Sequence, residues 1–142
     1  MADSLTSYYE HVQRAGNLRS PEHARRWSHG VLQTLGQNLG RSAKRSLSKA
    51  LPPELTRSLN DVFWLLHFRD THISHLDFQN VVARRCGNSD KEFAFYPVRA
   101  VFGGLQQLIG QDVAQTVADA LSPDLREIWQ HALAETVETV AR

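Results

Sequence analysis

The sequence predicts an all-α fold: a helical bundle of about eight helices built from two similar four-helix units. Three observations carry this prediction. Apolar residues recur at helical spacing along most of the chain, no stretch shows sustained strand-type alternation, and the second half of the sequence repeats the pattern of the first half. With 142 residues and 42% apolar content, the chain is long enough to bury a core, so we expect a folded domain.

The repeat is clearest at two proline turns. Segment 50–59 (ALPPELTRSL) aligns with segment 120–129 (ALSPDLREIW), and the same frame aligns Gly40 with Gly110. Further apolar pairs in this repeat frame are Tyr8 and Phe78, Val12 and Val82, Val31 and Val101, and Leu35 and Leu105. A glycine, a turn and a series of apolar positions in one frame indicate an old duplication.

The repeat also predicts the domain organisation. We expect a first helical unit at 5–68 and a second at 74–140, packed together as one globular domain with a seam at 67–75. Each unit alone has a thin core, so the two should bury their apolar faces against each other.

The first unit is expected to contain four helices. The first helix ends at Gly16, and 20–22 (Ser-Pro-Glu) starts the second, because serine suits the N-cap, proline the first turn and glutamate the positive end of the helix dipole. Ser42 is expected to cap a short third helix. Pro53 is expected to open a fourth helix that continues through Leu66.

The second unit should copy this order. Ser74 is expected to start its first helix, and 89–92 (Ser-Asp-Lys-Glu) is a capping-box pattern for the next. Pro97 removes a backbone donor from that second helix, which predicts a kink or a late start. Asp112 is expected to cap the third helix, and Ser122 to precede the last one.

Charge and cysteine content restrict the classes of protein to consider. Residues 1–70 hold ten Lys or Arg and six Asp or Glu, a balance of +4, while 71–142 hold six and nine, a balance of −3. These opposite charges can attract a partner or a second copy. The single cysteine, Cys86, excludes an internal disulfide and fits a cytoplasmic location. The N-terminal residues have neither a basic n-region nor an apolar h-region, and the apolar run 62–66 is too short to span a bilayer, so we expect neither a secretory signal nor membrane association.

Taken together, these residues resemble a known family. The frame consists of Tyr8, Val12, Ala24, Val31, Leu32, Leu35, Leu39, Leu47, Leu51, Pro52, Glu54 and Leu55, with a second copy that ends in Ala120, Leu121, Ser122, Pro123, Asp124 and Leu125. This pattern resembles a bacterial family catalogued as domain of unknown function 2267, from about Leu5 to Ala132. The resemblance implies a small, soluble, helical bacterial protein and brings no catalytic residues to carry over. Pro97 and Gly103-Gly104 depart from the usual pattern.

Histidines concentrate at the seam. The stretch HFRDTHISH (67–75) contains His67, His72 and His75 together with an aspartate, which makes these histidines weak candidates for metal ligands or for an acid–base pair. A metal ion needs three or four ligands that converge on one point. Because a helix should begin at Ser74, the three histidines do not share a helix. A solvated linker is the favoured interpretation, and we expect no metal.

A basic stripe marks the predicted third helix. Arg41, Lys44, Arg45 and Lys49 line one face of it. The equivalent positions in the second unit hold Gln111, Ala114, Gln115 and Asp119. The fold therefore does not demand the stripe, which is a weak candidate to bind an acidic protein surface or, less favoured, the phosphates of nucleic acid. A plain solvated face is the favoured interpretation.

A third candidate site lies where the predicted units meet. Trp27 corresponds to Pro97 in the repeat frame, and Gly103 and Gly104 weaken the same predicted helix. These four residues are weak candidates to line a ligand-binding pocket, although Trp27, like Trp64 and Trp129, falls at a spacing typical of core residues.

These observations favour a non-enzymatic cytoplasmic module that recognises another protein, or itself, by helix-face packing. No Walker loop, dinucleotide-binding glycine pattern, HExxH or GxSxG motif is present, so no cofactor is expected and an enzyme is less favoured. The alternatives are a small-ligand-binding protein or enzyme with a cleft between the units, and a nucleic-acid-binding protein that uses the basic stripe.

Overall fold

The structure, a computed structural model, describes residues 4–61, 72–87 and 90–141, with side chains described through Ala132. Every regular element in these ranges is an α-helix, which confirms the all-α prediction. The eight helices of the described residues are α1 (Ser4–Ala15), α2 (Pro21–Asn38), α3 (Arg41–Ala50), α4 (Pro53–Asn60), α5 (His75–Arg85), α6 (Phe95–Leu108), α7 (Gln111–Ala120) and α8 (Pro123–Ala141).

Local sequence signals set several helix starts. Ser20 Oγ accepts a hydrogen bond from the backbone N–H of His23 (3.1 Å), and Ser74 Oγ accepts one from Asp77 (3.1 Å), so both serines cap helices as predicted. The prolines predicted to open α4 and α8 are the first residues of these helices. After α1, the chain turns through Asn17 in the left-handed conformation (φ 57°), as expected from the Gly-Asn stop signal.

Two predicted caps are wrong. Gly40 is the N-cap of α3 and Gly110 is the N-cap of α7, so Ser42 and Asp112 lie inside the first turns of these helices. Both glycines already have extended backbone, and the carbonyl of Gly40 accepts the first helical hydrogen bond of α3, from Lys44 (2.9 Å). The helices therefore begin before the side chains that were expected to cap them.

The late start predicted for α6 is confirmed. Its first residue is Phe95, so Pro97 lies in the first turn, where no intrahelical partner exists for a backbone N–H. Asp90 Oδ1 accepts backbone hydrogen bonds from the residues two and three positions later, which holds the preceding turn. The predicted cap Ser89 lies outside the described residues. From Phe95, α6 continues without interruption through 103–104.

Helix pairing follows the repeat frame. The bounds of α3, moved by the offset that takes Gly40 onto Gly110, coincide with those of α7. α2 packs against α4 as α6 packs against α8, and α1 packs against α6 as α5 packs against α2. The first helix of each predicted unit thus packs on the second helix of the other unit, and the division at 5–68 and 74–140 stays a prediction.

One continuous hydrophobic cluster takes side chains from each of the eight helices. Trp27 and Trp129 are each 1% exposed and belong to it, as their helical spacing predicted, whereas Trp64 lies outside the described residues. None of the helices in the described ranges combines the length and the apolar character needed to cross a membrane.

Candidate functional site

The basic stripe lies on the outer side of α3. Arg41, Arg45 and Lys49 are exposed, while Ala43 and Leu47 on the opposite side are buried in the core. Because successive members are one helical turn apart, they stand about 6 Å apart along the helix axis. We call these three residues the basic face of α3.

Lys44, the fourth member of the predicted stripe, is less accessible than the others, and burial lowers the pKa of its ammonium group. The ion pairs found within the described part of the chain join His29 to Asp61 and His75 to Asp124. The basic face therefore makes no ion pair with a described carboxylate, and its charges are accessible to an anionic partner.

His75 binds Asp124, a residue that the sequence did not connect with it. Its Nδ1 lies 2.8 Å from Asp124 Oδ2, and its backbone N–H donates to the same oxygen over 2.6 Å. The backbone hydrogen bond is the main reason why the pKa of Asp124 is lowered, and the His75 ring contributes further. Asp124 thus satisfies a free N–H in the first turn of α5 and joins α5 to α8.

The other two seam histidines do not form a described site. His72 is exposed in the turn before α5, and His67 lies outside the described residues. Among the residues whose placement is described, no three His, Cys, Asp or Glu side chains converge as metal ligands. His67 stays only a weak candidate for a metal ligand.

The residues proposed to line a pocket between the units lie in the core. The Trp27 ring packs edge-on against Phe93, with 5.6 Å between the ring centroids. Pro97, Gly103 and Gly104 are buried in α6, and a methyl group at Gly104 would come within 3.0 Å of the Tyr8 ring. None of these four lines the groove described next.

An open groove of about 350 Å³ lies along α2 where α5 crosses it. Its cationic residues are Arg25 and Arg26 from α2 and Arg85 from α5. We call it the arginine groove. Its lining residues are Tyr9, Arg25, Arg26, His29, Gly30, Gln33, Glu54, Ser58 and Arg85.

One wall of the arginine groove is built around Tyr9. The Arg25 guanidinium lies over the Tyr9 ring, 5.2 Å from its centroid, and the Tyr9 hydroxyl donates to Glu54 Oε2 over 2.7 Å. Burial is the main cause that raises the pKa of Tyr9, and the bond to Glu54 raises it further. Tyr9 therefore stays a neutral donor. Its hydroxyl binds Glu54, which is the only carboxylate among the described residues that line the groove.

A Ser–His–Asp arrangement lies beside this wall. His29 Nδ1 is 2.9 Å from Ser58 Oγ, and His29 Nε2 is 3.1 Å from Asp61 Oδ2. Gln33 holds Asp61 by donating to its carboxylate (3.2 Å) and to its carbonyl (2.9 Å). Ser58, however, is only 8% exposed, and its Oγ also lies 3.4 Å from the carbonyl oxygen of Glu54 within α4. These hydrogen bonds join α2 to α4.

Comparison with known protein families shows which family the chain belongs to. The family model described as "Uncharacterized conserved protein (DUF2267)" matches residues 6–128. The chain belongs to the DUF2267 family. This confirms the resemblance seen in the sequence, and the match includes both the basic face of α3 and the arginine groove. Among curated proteins, none matches this DUF2267 chain.

Neither Arg85 nor His29 of this DUF2267 protein belongs to a sequence motif, so the sequence alone assigns them no site role. The repeat frame nevertheless contains a weak signal for a role of the arginines. Arg25 and Arg85 correspond to Phe95 and Ala15 in the repeat frame, so each cation stands where the other copy has an apolar residue. The sequence did not show that these two arginines, which lie in different predicted units, line the same groove.

Proposed function

We propose that this DUF2267 chain is a non-enzymatic cytoplasmic module of a bacterial cell that binds an acidic surface of a protein partner. The observation that supports this proposal is the basic face of α3. Arg41, Arg45 and Lys49 are exposed in one row and make no ion pair with a described carboxylate. A row of cations at one-turn intervals is complementary to a row of carboxylates at the same spacing.

The charge distribution favours a protein over a nucleic acid. The net charge of the whole chain is +1, and the row extends over about two helical turns, or roughly 12 Å. Nucleic-acid binding is usually dominated by many phosphate contacts on a strongly basic surface. Three cations on an almost neutral protein fit the smaller and more local field of an acidic helix or loop.

The experiment compares the wild type with a charge-reversed variant, Arg41→Glu, Arg45→Glu and Lys49→Glu together. A control variant carries Arg14→Glu, Arg84→Glu and Lys91→Glu, three exposed cations outside α3 that give the same change in net charge. Poly-L-glutamate serves as the acidic probe, and its binding is measured by fluorescence anisotropy at low salt and at about 0.5 M salt.

Exposed ion pairs contribute about 0.2–1 kcal/mol each, so losing three should weaken binding roughly tenfold. We expect this loss in the α3 variant, little change in the control, and weaker binding of the wild type at high salt. Equal binding by the two variants would refute the proposal. Nucleic-acid binding would instead be favoured if duplex DNA displaces poly-L-glutamate from the wild type, and if the α3 variant but not the control variant binds that DNA more weakly.

Self-association is one form of the same proposal, because the second half of the chain carries a charge balance of −3. Sedimentation of the wild type and of the charge-reversed α3 variant tests it. A salt-sensitive dimer that the α3 variant loses would identify a second copy as the acidic partner. A wild type that stays monomeric at high concentration and low salt would eliminate this form.

A further inference from the structure

The arginine groove carries positive charge that no ion pair neutralises among the described residues. Arg25, Arg26 and Arg85 are all exposed, and none of them forms an ion pair with a described carboxylate. Glu54, the acidic residue among the described residues that line the groove, already accepts the Tyr9 hydroxyl. Three arginines and one glutamate line the groove, and the nearby Asp61 carboxylate, which His29 and Gln33 hold, also attracts Arg85, so the arginines outnumber these carboxylates by one.

Arg85 is held in place by neutral acceptors. Its Nη2 donates to Gln37 Oε1 over 2.6 Å, and its Nη1 lies 3.4 Å from Thr34 Oγ1. Partial burial is the main cause that lowers the pKa of Arg85. The Asp61 carboxylate acts on Arg85 in the opposite direction, but it forms no ion pair with it, so an anion can still bind at the remaining N–H donors. The bonds to α2 also restrict the movement of the side chain.

The fold does not require cations at these positions. The repeat frame places Phe95 and Tyr96 opposite Arg25 and Arg26, and Ala15 opposite Arg85. Both copies form helices at these positions, and each first helix packs on the other copy's second helix. One of the two equivalent junctions therefore has three guanidiniums where the other has aromatic and small side chains. The three arginines are thus a property of this groove and not of the architecture.

We propose that the arginine groove binds the phosphate group of a small soluble organic phosphate. Arginine forks match phosphate oxygens in a bidentate manner, and the two negative charges that a phosphate monoester carries near neutral pH let it engage more than one arginine. The groove volume of about 350 Å³ falls within the range of ligand sites, so there is room for an organic body beyond the phosphate.

Inorganic pyrophosphate is the probe, because it carries phosphate charge without an organic body. Its binding to the full chain is measured by calorimetry, and its effect on the thermal midpoint is compared with that of sodium chloride at equal ionic strength. Arg85→Gln removes the oriented guanidinium. Arg84→Gln is the matched control, since Arg84 is the exposed neighbour on the same helix and does not line the groove.

We expect pyrophosphate to raise the thermal midpoint of the wild type and of Arg84→Gln, and Arg85→Gln to bind it at least tenfold more weakly. Arg25→Gln is a second variant in case Arg85→Gln folds poorly, because Arg25 is exposed and its removal leaves no buried group unpaired. It should also bind at least tenfold more weakly.

Three results would overturn the inference. The first is equal binding of pyrophosphate by Arg84→Gln and the two groove variants. The second is binding that sodium chloride of equal ionic strength reproduces. The third is binding to vesicles that contain phosphatidic acid, or to a short single-stranded oligonucleotide, with no binding to pyrophosphate. The charge-reversed α3 variant should retain pyrophosphate binding, so failure here and failure of the proposed protein interaction are separate outcomes.

Discussion

The close approach between α2 and α4 depends on a missing side chain at Gly36. A methyl group built at this position would overlap the backbone carbonyl oxygen of Leu59 and would lie 3.1 Å from its carbonyl carbon. The atoms it meets belong to the backbone of α4, so they cannot avoid it by a rotamer change. The Gly36→Ala variant therefore requires the two helices to move apart.

Two opposing effects determine the size of the change. Glycine inside a helix costs about 1 kcal/mol relative to alanine, so helix propensity alone predicts that Gly36→Ala stabilises the protein. Overpacking a filled interior costs about 1–3 kcal/mol, and occasionally more. Because the clash is with backbone, we expect the upper end of that range, which leaves a net loss of about 2 kcal/mol in the free energy of unfolding.

Urea unfolding of the full chain, followed by circular dichroism, measures this loss as a lower midpoint at unchanged slope. Gly104→Ala gives a graded comparison. The nearest atoms to its methyl group would belong to the rings of Tyr8, at 3.0 Å, and His11, at 3.3 Å, and a shift of a few tenths of an ångström in these side chains would relieve the contact. We expect Gly104→Ala to be close to neutral. A Gly36→Ala protein as stable as the wild type, or less destabilised than Gly104→Ala, would refute the reasoning.

Three further predictions follow from buried polar groups. Tyr8→Phe removes the 2.6 Å hydrogen bond between two buried hydroxyls, those of Tyr8 and Ser28, and should lower the free energy of unfolding by about 1–2 kcal/mol in urea; an unchanged midpoint would contradict this. Burial is the main cause that lowers the pKa of His11 below its ordinary value of 6.5, so the unfolded chain binds a proton at higher pH than the folded chain does. The contribution of His11 to the free energy of unfolding is therefore complete above about pH 6.5 and is lost as the pH falls through the folded pKa. The urea midpoint of His11→Gln should fall less steeply with decreasing pH than that of the wild type. An equally steep fall in both proteins would argue against this. Burial raises the pKa of the Cys86 thiol to about 12, so iodoacetamide near pH 8 should alkylate the native protein at least tenfold more slowly than the urea-unfolded protein, and equal rates would show that the thiol is accessible.

The local architecture could be predicted because its causes lie close together along the chain. A serine that caps a helix bonds the N–H three positions later, as Ser20 and Ser74 do, and a proline in the first turn needs no partner. The late start of α6 at Pro97 follows from the same rule. Even here the residue types did not show which of two nearby residues would be the N-cap, since the N-cap of α3 is Gly40 and not Ser42.

The sequence by itself therefore determined the helices, the repeat frame and the basic row on α3, because helical spacing alone places Arg41, Arg45 and Lys49 on one side. Only the tertiary structure decided which distant residues meet. Asp124 in α8 accepts a hydrogen bond from the backbone N–H of His75, in the first turn of α5, which lies far earlier in the chain. Arg85 reaches the groove of Arg25 because α5 packs on α2 of the other predicted unit. Such contacts depend on how whole helices pack, and no local pattern of residues encodes that relation.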